Sequence, residues 1–174
     1  SIVANIQKTP NRIEPAFRFL PIGSIKPLGW LKEQLQIAAN GLTGHIHELW
    51  DELGPDNMWL GGEKEGWERG PYYIDGLLPL AYILNDSKLK MEAHRWIDAF
   101  LSYQDEEGWI GPTLSERGQE RDPWPIFVVL KVLTQYHEAT GDERVLNVMT
   151  KFFKYLYKNL KDSPLSSWAA FRWG

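Results

Sequence analysis

Two stretches of this chain, Leu80 to Tyr103 and Leu133 to Tyr157, share one layout. Each runs from an apolar helix end through a tight turn carrying an Asp (Asp86, Asp142) into a second amphipathic helix with aromatic residues. The two Asp lie 56 positions apart, about the length of one helical hairpin with its loops. A single hairpin cannot bury its own apolar face, so repeated hairpins must stack. The pattern therefore predicts an all-α chain of stacked hairpins, either a solenoid or a closed ring of helix pairs. No segment reads as a strand.

Around these repeats the apolar spacing places further elements. Residues 1–26 read as an extended leader, broken by Pro10, Pro15 and Pro21, with Phe17, Phe19 and Ile22 placed to pin it against a core. Residues 27–174 form the hairpin array. Pro27 suits a first helical turn, Leu28, Leu31, Leu35 and Ala38 follow at helical spacing, and Asn40-Gly41 is a stop. A shorter helix is expected from Gly44 to Leu53, with Ile46, Leu49, Trp50 and Leu53 on one face. A Gly-rich loop leads to Pro71, which opens a helix ending near Asn85. Pro79 lies inside that helix, where a missing N–H and a clash with the preceding turn predict a kink. The next helix carries Leu89, Ala93, Trp96, Ile97 and Phe100. Asp122 with Pro123 and Pro125 starts another, lined by Ile126, Val129, Leu130, Leu133 and His137 and ended by Gly141. Asp142 caps the last, with Val145, Met149, Phe152, Leu156 and Leu160 in register.

Composition narrows the partners. Nineteen Lys and Arg against 23 Asp and Glu give a net charge of -4 without a basic patch, a poor match to nucleic acid. No apolar run has the roughly 18 residues of a membrane span. With 0 Cys, disulfides, thiolate zinc sites and a cysteine nucleophile are excluded within this chain. Nine Trp are an excess. Trp is favoured where a large ring is partly buried and partly offered to a ligand.

The chemistry-bearing residues gather at two helix starts. Trp67-Glu68-Arg69 precedes Tyr72, Tyr73 and Asp75, and Arg121-Asp122-Pro123-Trp124 forms a second cluster of similar character. A carboxylate, a guanidinium and flat rings together suit a sugar: the acid accepts hydroxyl protons and the ring stacks on the C–H face. The structural alternative is a surface Glu and Arg flanking a turn, with Asp122 an N-cap. One of the two adjacent Tyr is expected to face a cleft and the other the core, because neighbours on a helix point about 100° apart. Asp75, just before Leu77-Leu78, needs a partner, either a ligand or a loop amide. His45 and His47 lack the four-residue spacing of a helical zinc pair but remain ligand candidates. His94 and His137 read as structural. Asp105-Glu106-Glu107 reads as a solvated turn, with Trp109 at a rim.

Taken in order, LPIGSIKPLGWLKEQL, GLTGHIHELW, WLGGEKEGWERGPYYIDGLLPLAY, EEGWIGP, DPWP with LKVLTQYHEATGDERV, and SSWAAFRWG resemble the beta-L-arabinofuranosidase-like glycoside hydrolases, family 127 and its relatives. The resemblance implies an (α/α)6 toroid as catalytic domain. It also implies cleavage of a glycosidic bond in an arabinofuranoside-type or related plant glycan, by a periplasmic or secreted bacterial protein. Members are several times longer, which makes this chain the N-terminal part of the toroid. The best-known members use a zinc-bound cysteine nucleophile with a glutamate acid/base, and those residues fall later in the family pattern. Zinc is thus expected beyond this chain and no metal within it. Carry-over is limited to substrate-pocket positions His45, Trp67, Glu68, Arg69, Tyr73, Asp122 and Trp124, with Glu68 and Asp75 as catalytic candidates. The expected partner is an oligosaccharide or glycan. The apolar end around Trp168, Phe171 and Trp173 predicts self-association. Two other readings of a Trp-rich helical array are a non-catalytic glycan-binding module and a protein-interaction scaffold.

Overall fold

A computed structural model describes residues 13, 15–113, 121–162 and 164–165. Six α-helices form within them: α1 (Gly29–Asn40), α2 (Leu42–Leu49), α3 (Arg69–Leu84), α4 (Ser87–Ser102), α5 (Trp124–Thr140) and α6 (Arg144–Asn159). Two single-turn 3-10 helices, Asp51–Leu53 and Met58–Leu60, lie between α2 and α3. Among the described residues the only extended pairing is an isolated bridge between Asn57 and Lys64. The all-α class read from the spacing is what the chain adopts.

Turn chemistry sets the hairpins. Asp86 accepts from the Lys88 and Leu89 amides and caps α4, a bond worth about 1 kcal/mol. Asn85 ends α3 in the left-handed region, as Gly141 ends α5. Asp142 accepts from the Arg144 amide at 3.0 Å and opens α6. These short turns all lie at one end of the molecule. The long connections, before α3 and before α5, lie at the other.

The odd-numbered helices make one row, with α3 between α1 and α5, and the even-numbered ones back it. Both α3 and α5 are apolar on most of their circumference because they are covered on several sides. Ile74, Leu77, Leu78 and Ala81 of α3 meet Trp96, Ile97 and Phe100 of α4 and Val129, Val132 and Leu133 of α5 in one core. α4 and α6 instead bury one stripe each, with Val145, Val148 and Phe152 inward on α6. Pro79 sits within an uninterrupted α3.

The first third departs from expectation. Phe17 and Phe19 are 92% and 95% exposed and do not pin the leader; Ile22 alone of the three packs on the core. α1 begins at Gly29, two residues past Pro27, and its Leu28 and Leu31 face out. α2 ends at Leu49, itself exposed, and a separate 3-10 turn carries Leu53 into the core. Apolar periodicity locates a helix but not which side is covered, and the outer side of the first hairpin has no neighbour among the described residues. The aromatic end from Trp168 to Trp173 lies outside the described residues.

Candidate functional site

The loop entering α3 is folded around two buried polar groups. Asn57 is fully buried and Glu65 nearly so. Burial of either is tolerable only with its hydrogen bonds made. Asn57 Oδ1 accepts from the Trp59 amide at 2.8 Å, and its Nδ2 donates to the Glu52 carbonyl at 2.6 Å and to Glu65 Oε2 at 3.2 Å. Glu65 Oε1 accepts from the Trp67 and Arg69 amides at 3.0 and 3.2 Å. Its carboxylate thus caps α3 from upstream, where the N-cap residue Glu68 makes no side-chain cap. The Trp59 indole donates to the Trp67 carbonyl at 2.9 Å. Gly111 leaves room for the Trp59 ring: a Cβ there would lie 2.1 Å from Trp59 Cζ3, and its φ is +77°.

On this base the two helix starts are joined by crossed bonds. The Trp67 indole donates to Asp122 Oδ2 at 2.9 Å, and the Trp124 indole donates to Glu68 Oε2 at 2.7 Å. Each cluster supplies one indole and one carboxylate. The N-cap of α5 is Pro123, not Asp122; from one residue upstream, Asp122 Oδ1 accepts from the Trp124 amide at 3.0 Å while its other oxygen accepts from an indole. Both carboxylates stand at the N-termini of parallel helices, where the helix dipoles favour negative charge. Trp124 is 4% exposed, so its N–H must be bonded, whereas Glu68 is half-buried at the surface. Behind the rim a partly open pocket of about 10 Å³, room for a single water, is lined by Trp59, Trp67, Trp109, Asp122 and Ile126.

The other candidates divide. Arg69 turns from the pair to Glu52 and lies 5.3 Å over the Trp50 ring. Asp75 forms an ion pair with Lys131 of α5, at 2.7 and 2.9 Å from its two oxygens. Tyr73 is core: its ring packs edge-on to Trp96, its hydroxyl meets His47 Nδ1 at 2.9 Å, and burial pushes its phenol up. Its neighbour Tyr72 is the exposed one, at 48%. His45 is set apart, paired with Glu48 at 3.1 Å in an open groove of about 1410 Å³ that also holds Asp51, Lys64 and Arg95. The structure therefore brings Trp67, Glu68, Asp122 and Trp124 together and leaves His45 and Tyr73 elsewhere.

The acidic turn is a clamp rather than a solvated run. Asp105 Oδ1 accepts from the Gly108 and Trp109 amides at 2.8 and 2.9 Å. Arg121 bridges Asp105 and Glu107 and lies over the Tyr155 ring, and its hydrogen bonds to the Tyr155 hydroxyl and then to Glu107 raise its guanidinium pKa further. Trp109 is buried against Phe152 and Tyr155, not at a rim. The residues that sequence reasoning missed are Glu65, Asn57, Glu52 and Lys131. Only Lys131 carried a signal: it stands 56 positions after Asp75, the hairpin period.

The chain has 0 Cys, and among the described residues no three His, Asp or Glu side chains gather as metal ligands. The residues present do not compose a thiolate–zinc centre. Comparisons with curated proteins and with solved structures give no match. A family model described as the beta-L-arabinofuranosidase, GH127 catalytic domain matches residues 6–170. With the helical row and its backing helices fitting the (α/α)6 architecture of that domain, the chain belongs to the GH127 beta-L-arabinofuranosidase catalytic-domain family.

Proposed function

We propose that this chain supplies part of the glycan-binding wall of a glycoside hydrolase acting on an arabinofuranoside-type or related plant glycan. The observation that carries the reading is the crossed pairing of Trp67 with Asp122 and of Trp124 with Glu68 at the N-termini of two parallel helices. Membership of the family supports the reaction class. The Trp124 indole holds Glu68 Oε2, which aims the other oxygen of the carboxylate at a sugar hydroxyl. Trp67 presents its ring beside it. Export from the cell and self-association belong to the same proposal. A clean monomer by light scattering would remove self-association from it.

The test is binding and hydrolysis of β-L-arabinofuranosyl oligosaccharides by the wild type and by Glu68→Gln. Loss of a charge-assisted hydrogen bond to substrate should lower affinity or kcat/KM by at least about tenfold. Wild-type values in the variant would sink the assignment of Glu68.

A further inference from the structure

We infer that the exposed face of α3 and α5 below the rim, formed by Tyr72, Asp75, Gly76 and Lys131, binds a neutral sugar unit through two adjacent hydroxyls. This rests on the glycan-binding reading above and deepens it, because it assigns residues and a ligand chemistry to a level that the rim does not reach.

The face is defined by two layers of contact. Glu68 meets Trp124 and Asp75 meets Lys131, both across 56 residues. A constant offset means that α3 and α5 run parallel in register. Seven residues separate Glu68 from Asp75, so the lower layer lies about 10 Å further along the helices. Between the layers stands Tyr72, 48% exposed, on the same side of α3 as Asp75.

Two choices on this face disfavour a helix that only needs to be stable, and a third adds little to it. Gly76 is in the middle of α3 and exposed, and a Cβ there would meet nothing within 4 Å. Among the described residues no neighbour requires a glycine, yet glycine is among the worst residues for a helix interior. Pro79, one turn on, withholds the N–H that the Asp75 carbonyl would accept. The Asp75–Lys131 pair is partly exposed, with Lys131 at 49%, and pairs of that kind add little to stability. Violations of local rules that collect on one face mark a functional surface.

What the face fits follows from its groups. Asp75 accepts and Lys131 donates within one ion pair, so adjacent hydroxyls can satisfy both: one donates to the carboxylate while the next accepts from the ammonium. The two charges cancel, which favours a neutral sugar over a carboxylated one. Tyr72 offers a flat ring to the C–H side of the sugar. Gly76 leaves the space in which the ring would lie against the helix backbone.

The experiment measures the Kd of methyl β-L-arabinofuranoside and its 2-deoxy analogue by ligand-observed NMR, with Tm, for the full chain and its variants. Gly76→Ala should raise Tm yet weaken binding about tenfold, and Gly76→Leu should abolish it, since the added carbons fill the sugar's place. A merely structural glycine would show the first effect without the second. Lys131→Met should weaken binding about tenfold and erase the preference for the parent sugar over the deoxy analogue. Wild-type affinity in Gly76→Leu and Lys131→Met, with binding lost in Glu68→Gln, would overturn this inference and leave the rim assignment standing. A wild-type chain that binds neither sugar would overturn both.

Discussion

The crossed indole–carboxylate pair can be weighed by a double-mutant cycle on Trp124 and Glu68. The bond is 2.7 Å long and its acceptor is charged. A hydrogen bond to a charged group contributes about 1.5–3 kcal/mol, and Glu68 is half-buried, so the lower end applies. Trp124→Phe removes that bond and part of a buried ring. The lost ring adds about 1–2 kcal/mol of cavity and transfer cost, for a total of about 3 kcal/mol. Glu68→Gln keeps an acceptor but removes the charge, which should cost about 1 kcal/mol. In the double variant the ring cost remains and the charge no longer matters, so the two effects should fall short of additive by about 1 kcal/mol. Urea unfolding followed by Trp fluorescence and circular dichroism provides the four stabilities, with a constant m-value as the control. A coupling under about 0.3 kcal/mol, the usual spread for independent sites, would refute the reasoning. It would mean that Trp124 acts by packing alone and that Glu68 is not aimed by it.

Two further outcomes follow from the same contacts. Gly111→Ala places a Cβ 2.1 Å from the Trp59 ring at a backbone φ of +77°, so overpacking and left-handed strain together should cost about 3 kcal/mol, read as a lowered Tm; an unchanged Tm would show that the loop moves aside freely. Burial holds the His94 imidazole below its ordinary value of 6.5; Asp98 opposes this, Lys90 adds to it, and Tyr82 and Tyr136 face the ring. The unfolded chain therefore takes up a proton before the folded one does, so stability is present above pH 6.5 and falls as pH drops below it. His94→Gln should flatten Tm between about pH 7.5 and 5; an equally steep loss in the variant would place the sensitivity elsewhere.

How much of this was legible in the chain depends on the kind of signal. Helix positions were, because buried stripes such as Leu89, Ala93, Trp96, Ile97 and Phe100 impose a period that little else produces. The turns at Asn85-Asp86 and Gly141-Asp142 were, because the chemistry of capping is local. The joining of Trp67-Glu68 to Asp122-Trp124 was legible as two clusters of like character at helix starts, though not as crossed bonds. Partnering at a distance was not legible. Glu65 and Asn57 look like ordinary polar loop residues, and only the closed loop shows them buried and bonded to each other. Tyr72 and Tyr73 could be separated into one exposed and one buried residue, but not told apart, since that depends on where α4 lies. The first hairpin misled because its apolar residues at Leu28, Leu31 and Leu49 sit on a side that no described element covers.

The register between α3 and α5 also limits where the site can extend. Residues one hairpin apart stand side by side, so each helix start and each exposed turn of the row is a pair, with Glu68 beside Trp124 and Asp75 beside Lys131. α1 occupies the next place in that row, in contact with α3. Counted from its first residue, its counterparts of Glu68 and Asp75 are Leu28 and Leu35. Leu28 is exposed, Leu35 packs on the core, and neither side chain can accept or donate a hydrogen bond. On the proposed reading the polar wall begins at α3 and grows toward α5, away from the first hairpin. Substitutions on α1 should leave sugar affinity alone, while those on the facing turns of α3 and α5 should change it whatever they do to stability. This asymmetry separates a ligand wall from a generic polar surface, because a surface that only kept the row soluble would have no reason to spare α1.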